Sequence, residues 1–489
     1  MTPSSLKHRS ARGAAVSFVG QGVRALLQLG SQFYIAHLIS PSAFGLVAMV
    51  APILRFSQLF GAMGLLEAVI QRPSISDREL TGLFWINLAV SATLALVFAV
   101  AAPLVAWFYG EPRLTEVMVW LCAVLLLGGL AAQPMAILNR GMSYLPLTLI
   151  DVLSTAGAAC VGAVMAHLAF GYWALVGMQV ANSLILCLLA WTFAGWCPSR
   201  PRWEPAILPL LSFGSRMTAF SVLSLFAESS DKVLLGAVAG SLALGLYDRS
   251  SMVVMMPLVL MMSTLTRVAI PLLSRLVDAA ELYRRAYLGV LQTGISFYLP
   301  LLLYVVVFPE CVIQSLLGSH WAGAVPIIRF MAIGAIVHPL IGSTSWLFVS
   351  QGRADEQLIW GSMGFAAAVA SFVIGLPWGA AGVAAAWAIG SCLVWAPLNL
   401  WGAVSNGPLK ARHIMQACAP LAVAAVLTLL TLLLVRSRLE VTGFSGLVLG
   451  LLLSYSSYGV SLAVVPGGRR FLQDTWALRV SFGRTSMNM

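Results

Sequence analysis

The sequence predicts an all-α polytopic membrane protein with about fourteen transmembrane helices. Three observations support this fold class: 60% of the 489 residues are hydrophobic, only 9% are charged, and apolar runs follow one another with short polar breaks. A soluble protein carries about 25% charged residues, and one membrane span needs about 20 apolar residues. The mean hydropathy of +0.92 agrees with a membrane protein.

Proline, glycine and charge clusters interrupt the apolar runs and set the predicted helix boundaries. The helices, numbered 1 to 14, are predicted at 13–39, 42–68, 80–108, 115–138, 144–168, 171–196, 206–238, 242–273, 286–308, 322–349, 356–377, 380–404, 413–435 and 443–465. We expect two six-helix lobes, an N-lobe over 1–203 and a C-lobe over 204–405. Helices 13–14 and a cytoplasmic tail complete the chain over 406–489.

The distribution of Lys and Arg predicts that both termini are cytoplasmic in a multi-pass protein of the bacterial inner membrane. Eighteen of the 28 Lys and Arg residues fall in segments that this orientation places inside, and three fall outside. The net charge of +11 is therefore attributed to topology and anionic lipid, not to nucleic acid. No cleavable signal peptide is expected, since 14–38 is long enough to span and further spans follow.

A weak internal repeat supports the two predicted lobes. Ser40-Pro-Ser-Ala-Phe-Gly-Leu46 aligns with Gly240-Ser-Leu-Ala-Leu-Gly-Leu246 at an offset of 200 residues. Transporters are often built from such repeats, with the binding site at the interface of the two halves. Chance similarity between glycine-rich turns is the alternative explanation.

Predicted helices 1 and 2 carry polar side chains at helical spacing. Arg24, Gln28 and Gln32 share one face of helix 1, and Arg55 and Gln58 are three residues apart on helix 2. Polar groups inside a membrane face a protein interior or a wet cavity. These residues therefore line a substrate cavity or hold helices together.

Predicted helices 7 and 8 carry the densest group of intramembrane charges: Arg216, Glu228, Asp231, Lys232, Asp248, Arg249 and Arg267. Glu228, Asp231 and Lys232 are candidates for an ion-coupling site, or they form a structural charge cluster. Asp248 and Arg249 are expected to compensate each other. Arg216, Arg249 and Arg267 are candidates for substrate binding.

Other intramembrane polar residues stand alone. Asp151 and Arg329 are single charges for which packing and function are equally good explanations. His167 and His338 are expected to be satisfied packing residues. The seven cysteines are expected to be small core residues, and no metal or other cofactor is expected.

The balance of charge in the predicted spans favours an anionic guest. Seven cations face five acids there, and Arg binds phosphate and carboxylate through two parallel hydrogen bonds. A lipid-linked sugar diphosphate or an acidic polysaccharide unit would suit such a cavity. No Walker A motif is present, so the chain is not expected to hydrolyse ATP.

The chain resembles the Wzx-type polysaccharide flippases, the polysaccharide-transporter branch of the multidrug/oligosaccharidyl-lipid/polysaccharide exporter superfamily. The resemblance covers about residues 10–405, beginning with SFVGQGVRALLQLGSQFYIAHLISPSAFGLVAM in helices 1–2. Further landmarks are Asp231-Lys-Val-Leu-Leu-Gly236, Leu244-Gly-Leu-Tyr247, Ile270-Pro-Leu-Leu-Ser-Arg275, Leu316-Leu-Gly-Ser-His-Trp321 and Pro326-Ile-Ile-Arg-Phe330.

This resemblance implies a secondary transporter, not an enzyme, with two lobes in a V around a central cavity and alternating access. The implied substrate is an undecaprenyl-diphosphate-linked oligosaccharide moved to the outer leaflet. Membrane lipids, a polysaccharide polymerase and export proteins are the implied partners. It also implies cavity roles for Arg24, Arg55, Arg216 and Arg267.

Two alternatives stay open from the sequence. A multidrug cation exporter on the same fold would favour an acidic, aromatic cavity, against which the positive balance argues. An integral-membrane polysaccharide polymerase would be expected to show a large catalytic loop, and no outer loop here is long.

Overall fold

The computed structural model describes residues 3–62, 76–200, 208–438, 442–469, 471 and 473, with side chains described from residue 16 onward except at 56–62 and 208–228. No strand occurs within these ranges. The α-helices are α1 Pro3–Leu38, α2 Pro41–Ala62, α3 Asp77–Tyr109, α4 Arg113–Arg140, α5 Tyr144–His167, α6 Trp173–Ala194, α7 Leu208–Ser274, α8 Ala280–Val307, α9 Pro309–Leu316, α10 Val325–Ala335, α11 His338–Ser350, α12 Ala354–Gly375, α13 Gly379–Gly390, α14 Ala396–Ser405, α15 Ala411–Arg438 and α16 Gly443–Val464.

The all-α polytopic fold class is confirmed, and each of the fourteen predicted segments overlaps a helix. Within the described residues, ten helices are long and apolar enough to cross a membrane. Two of them, Ser229–Ser274 and Ala354–Ser405, each include parts of two predicted helices. Predicted helices 7 and 8 are the two arms of α7, which meet at Gly240, where φ is 77° and ψ is −177°.

Two predicted helices are interrupted in the structure. The helix predicted at 322–349 is broken into two: α10 ends at Ala335 and α11 begins at His338. The segment predicted at 380–404 contains a π-helical turn, Ser391–Trp395, between α13 and α14. π-helical turns are rare in proteins, and those that occur are often found at functional sites.

The chain divides into two compact units, Met1–Gly245 (unit 1) and Leu246–Met489 (unit 2). In unit 1, α4 packs against α3 and α6, and α5 packs against α1 and α6. In unit 2, α8 packs against α10, α15 and α16, while α13 packs against α10 and α12. The lobe boundaries predicted at 203/204 and 405/406 stay a prediction.

Side-chain hydroxyls join α8 to its neighbours by donating to backbone carbonyls. Unsatisfied polar groups are costly in lipid, so each buried hydroxyl needs an acceptor. The bonds are Tyr298 Oη to Val254 O at 2.6 Å, Ser454 Oγ to Pro300 O at 2.7 Å, Tyr455 Oη to Phe297 O at 2.8 Å and Tyr304 Oη to Gly446 O at 3.4 Å. These bonds position α16 and the second arm of α7 against α8.

The two motifs that align at an offset of 200 residues lie against each other within unit 1. An ideal Cβ on Gly45 would lie 1.7 Å from the carbonyl oxygen of Ser241, and one on Gly245 would lie 1.9 Å from that of Pro41. The contact is reciprocal, because position 41 corresponds to 241 and position 45 to 245. Only glycine allows the two backbones to approach this closely.

Candidate functional site

The polar face of α1 is tied to α5 by an ion pair. Arg24 Nη1 lies 3.1 Å from Asp151 Oδ1, with side-chain exposures of 45% and 33%. The polar face of helix 1 was predicted to line a cavity or to hold helices together, and packing and function were equally good explanations for Asp151. The ion pair is a helix–helix contact, because α1 packs along α5 and brings the two residues together.

A second polar contact joins α1 and α5 nearer to their C-terminal ends. Tyr34 Oη and His167 Nε2 are 2.6 Å apart, so His167 has a hydrogen-bond partner as expected. Gln28 is exposed, and its backbone carbonyl accepts a bond from Ser31 Oγ at 3.0 Å. The polar face of α1 thus makes helix–helix contacts at two positions, while the substrate-binding roles of Arg24, Gln28 and Gln32 stay predictions.

Arg55 is the exposed cation of α2. Within the described part of the chain, no hydrogen bond or ion pair involves its side chain. The side chain of Gln58, three residues on, lies outside the described residues. Arg55 therefore keeps the property that made it a candidate, a guanidinium available to a ligand.

The predicted ion-coupling group is described only in part. Asp231 and Lys232 are half-buried, and the Lys232 backbone N–H donates to Asp231 Oδ1 at 2.7 Å. The side chains of Glu228 and Arg216 lie outside the described residues. The spacing of four residues between Glu228 and Lys232 allows an ion pair within the helix, and this pair and the coupling role stay predictions.

Asp248 and Arg249 compensate each other as predicted. Arg249 Nη2 lies 2.6 Å and Nε 3.1 Å from Asp248 Oδ2, and Asp248 is buried. A hydrogen-bonded pair of this kind satisfies both charges away from water. Arg249 is thus a weaker candidate for binding substrate than Arg267, which is exposed and forms no ion pair within the described ranges.

Glu310 joins two arginines in unit 2. Its Oε1 accepts from Arg329 Nη2 at 3.0 Å and from Arg436 Nη2 at 3.2 Å, and Arg436 also donates to Val307 O. Glu310 had no role predicted from its sequence context, because its two partners are distant in the chain. The ion pair of Arg329 with Glu310 agrees with packing, one of the two explanations predicted for this residue.

Arg353 anchors the connection between α11 and α12. It donates from Nε and Nη2 to Glu356 at 2.8 and 2.5 Å and from Nη1 to Ala403 O at 2.9 Å, with only 11% of its side chain exposed. This network binds α12 to the end of α14. The Arg353 guanidinium is occupied by these intramolecular bonds, so its role is to position the helices.

His338 does not fit its predicted role as a satisfied residue. Its Nε2 atom is buried and has no hydrogen-bond partner among the described residues. The ring lies between Trp387 and Trp395, with centroid distances of 5.1 and 5.5 Å. A His-Pro pair inside a long apolar run is the sequence signal that could have indicated a break here.

The pairing reduces the expected surplus of intramembrane cations. Of the arginines expected inside the membrane, Arg24, Arg249 and Arg329 each have an acidic partner. In the same set, Arg55 and Arg267 have none within the described residues. Arg55 belongs to unit 1 and Arg267 to unit 2. A single cavity lined by both, and the predicted V shape, stay predictions.

The fold defines a polytopic all-α membrane protein, and comparison with known families narrows that class. Residues 34–326 match the family described as polysaccharide biosynthesis protein. This match covers more than half of the chain, and the chain belongs to that family. The predicted resemblance is thereby confirmed at the level of the family.

Individual relatives agree with the family. The chain is 25% identical over 320 residues to the teichuronic acid biosynthesis protein TuaB of Bacillus subtilis, covering 63% of this chain and 64% of that protein. It is 21% identical over 359 residues to the lipopolysaccharide biosynthesis protein WzxC of Escherichia coli, covering 72% of each. It is 24% identical over 303 residues to the succinoglycan biosynthesis transport protein ExoT of Rhizobium meliloti, covering 61% and 60%.

Solved structures share the fold at low sequence identity. Lipid II flippase MurJ in an inward closed conformation superposes with a TM-score of 0.72 at 13% identity, covering 92% of this chain and 98% of that one. An inward-facing multidrug resistance transporter of the MATE family gives a TM-score of 0.62 at 17% identity, covering 79% and 97%. These likenesses establish the architecture only.

Proposed function

We propose that this protein is a flippase that moves a lipid-diphosphate-linked oligosaccharide from the cytoplasmic to the outer leaflet of the bacterial inner membrane. The product would serve exopolysaccharide, capsule or lipopolysaccharide synthesis. The observation that carries this proposal is the combination of membership in the polysaccharide biosynthesis family with the fold of a lipid flippase. The chain spans only 64% of the length of its TuaB relative, so the substrate of the whole protein is part of the proposal.

The proposed binding chemistry relies on arginine. Arg55 and Arg267 are exposed and have no acidic partner in the described ranges, and a free guanidinium binds two oxygens of a diphosphate at once. Arg24 remains a candidate, with the ligand replacing Asp151 as the partner of its guanidinium. Gln28, Gln32 and Gln58 would bind sugar hydroxyls, and Arg216 and Arg249 complete the proposed set.

Alternating access and coupling to an ion are part of the same proposal. Glu228, Asp231 and Lys232 are the proposed coupling residues on α7. We propose that both termini are cytoplasmic and that the protein performs no catalysis itself. A polysaccharide polymerase and export proteins are the proposed partners.

A multidrug exporter is the alternative that one observation favours, namely the likeness to a MATE transporter. Such a transporter would take cationic drugs through acidic groups. Of the arginines expected inside the membrane, Arg55 and Arg267 have no acidic partner in the described ranges, and guanidinium groups favour an anionic guest over a cationic one. The flippase is therefore the better-supported function.

The decisive experiment is leaflet-resolved flipping in proteoliposomes with a fluorescent undecaprenyl-diphosphate oligosaccharide. We expect the Arg55→Ala/Arg267→Ala variant to lose most of the flipping that the wild type shows. The matched control is Arg285→Ala, which removes an exposed arginine that already pairs with Glu281 and should keep wild-type flipping. Equal flipping by all three proteins would refute the proposed cavity, and transport of cationic dyes alone would support the multidrug exporter.

A further inference from the structure

The first turns of α8 and α15 lie side by side at one end of unit 2. The two helices pack against each other, and Gln292 Nε2 of α8 donates to the carbonyl oxygen of Ala417 on α15 at 2.8 Å. Nearer to the beginnings of both helices, Arg284 Nη1 lies 3.4 Å from His413 Nε2. Both helices are long and apolar enough to cross a membrane, so this contact lies where two spans begin at the same membrane surface.

The imidazole of His413 faces more N–H donors than it can accept. The backbone N–H of Lys410 donates to His413 Nδ1 at 3.2 Å, while the Arg284 guanidinium faces Nε2. A guanidinium has no acceptor atom, a neutral imidazole has one acceptor nitrogen, and an imidazolium has none. At least one of these donors therefore needs another acceptor. When Nδ1 accepts from Lys410, Nε2 carries the proton, and one oxygen beside it would accept from both His413 and Arg284.

The charges around this contact are mostly positive. The charged side chains that interact with His413 are Arg284, Arg412, Lys410 and one acid, Glu281. Glu281 already pairs with two arginines of α8. Lys410 and Arg412 are exposed, and within the described ranges their side chains form no hydrogen bond or ion pair. The acceptor that this site lacks is therefore favoured to be an anion.

An exposed apolar face of α15 begins at Arg412 and runs into the span. Met415, Val423 and Val426 lie on this face at helical spacing from Arg412, with 63%, 50% and 56% of their areas exposed. A phospholipid offers both a phosphate for the cations and acyl chains for these side chains. A soluble phosphate could occupy only the polar part. The apolar face therefore favours a lipid as the source of the anion.

We propose that the phosphate of an anionic phospholipid binds between the first turns of α8 and α15. Its oxygens accept from Arg284 and from His413 Nε2, since a guanidinium is well suited to phosphate, and Lys410 and Arg412 supply further positive charge. An acyl chain lies along the apolar face that includes Met415. The predicted topology places this end in the cytoplasmic leaflet, where anionic lipids attract Lys and Arg. The site is separate from the proposed diphosphate-binding arginines and does not rest on the proposed function.

Lipid binding is tested by native mass spectrometry of the full-length protein in neutral detergent, titrated with phosphatidylglycerol or with phosphatidylcholine. The wild type should retain phosphatidylglycerol at lower concentrations than phosphatidylcholine, which has no net charge. Lys410→Gln/Arg412→Gln should need about 30-fold more phosphatidylglycerol for the same occupancy. The matched control is Arg78→Gln/Arg200→Gln, which removes two exposed cations on the same predicted side of the membrane and should bind phosphatidylglycerol as the wild type does.

Equal retention of the two lipids by the wild type would overturn the proposal, and this comparison needs no variant. Equal weakening in both double variants would also overturn it, because binding would then follow overall charge and not this site. Inorganic phosphate separates the two sources of the anion. If phosphate raised the wild-type Tm as much as phosphatidylglycerol does, the site would take a soluble anion and the lipid assignment would be wrong. Thermal unfolding of each variant without lipid checks that it is folded.

Discussion

The reciprocal glycine contact in unit 1 gives the most quantitative prediction. Alanine at 245 would place its methyl carbon 1.9 Å from the carbonyl oxygen of Pro41, whereas ordinary contacts of a Cβ begin near 3.4 Å. The obstacle is backbone, so one helix must retreat by about 1.5 Å, and overpacking of this kind costs about 1–3 kcal/mol. Gly45→Ala should have the same effect, because its methyl would meet the Ser241 carbonyl at 1.7 Å.

The assay is thermal unfolding of purified full-length protein followed by tryptophan fluorescence. A cost of about 1–3 kcal/mol should lower Tm by about 2–12 °C, relative to a glycine-to-alanine change without the steric conflict, in a unit of this size. The matched control is Gly289→Ala on α8, where nothing lies within 4 Å of an added Cβ. Alanine improves helix propensity by about 1 kcal/mol at either site, so the difference between the variants isolates the contact.

The reasoning would be refuted if Gly245→Ala and Gly289→Ala unfolded at the same temperature. A reduced Tm for Gly245→Ala but not for Gly45→Ala would also contradict the reciprocity. The expected result is a lower Tm for Gly245→Ala and Gly45→Ala than for the control, whose Tm should be unchanged or higher than that of the wild type.

Three further predictions concern two polar contacts and the membrane topology. Arg353→Lys should lower the free energy of unfolding by about 3 kcal/mol, because lysine cannot reproduce the buried fork of hydrogen bonds. The control, Arg285→Lys, changes an exposed arginine and should alter Tm little. Equal Tm values for the two variants would contradict this prediction. A double-mutant cycle of Arg24→Ala and Asp151→Ala should give a coupling of about 0.2–1 kcal/mol, as expected for a partly exposed pair, and a value of zero would mean that the pair does not form. A membrane-impermeant maleimide should label the exposed Cys197 only from the cytoplasmic side if both termini lie inside, so labelling from outside would reverse the proposed topology.

The sequence was sufficient to locate the helices, because the length of each apolar run is set by the membrane. It also located the bend of α7, since Gly240 separates two apolar runs and adopts a positive φ that other residues avoid. The end of α10 and the π-turn were not predicted, because both lie within continuous apolar sequence. Their positions depend on tertiary packing, such as that of Trp395 against Gly364.

The candidate site was predictable in composition but not in pairing. Adjacency in the sequence was enough to predict that Asp248 and Arg249 compensate each other. Spacing gives no information on the contact of Arg24 with Asp151 or of Glu310 with Arg436, which depends on how separate helices pack. A count of charges therefore overestimated how many cations are free to bind a ligand.

The hydroxyl bonds around α8 have a consequence for how this protein can vary. In each of them a tyrosine or serine is the donor, while the acceptor is a carbonyl that every amino acid possesses. These bonds therefore depend on the identity of the donor residue only. Replacing Tyr298 by Phe abolishes a bond, but replacing Val254 or Phe297 by another apolar residue leaves the acceptor in place. Chains that differ at most positions can keep the same helix arrangement as long as a few hydroxyl groups remain.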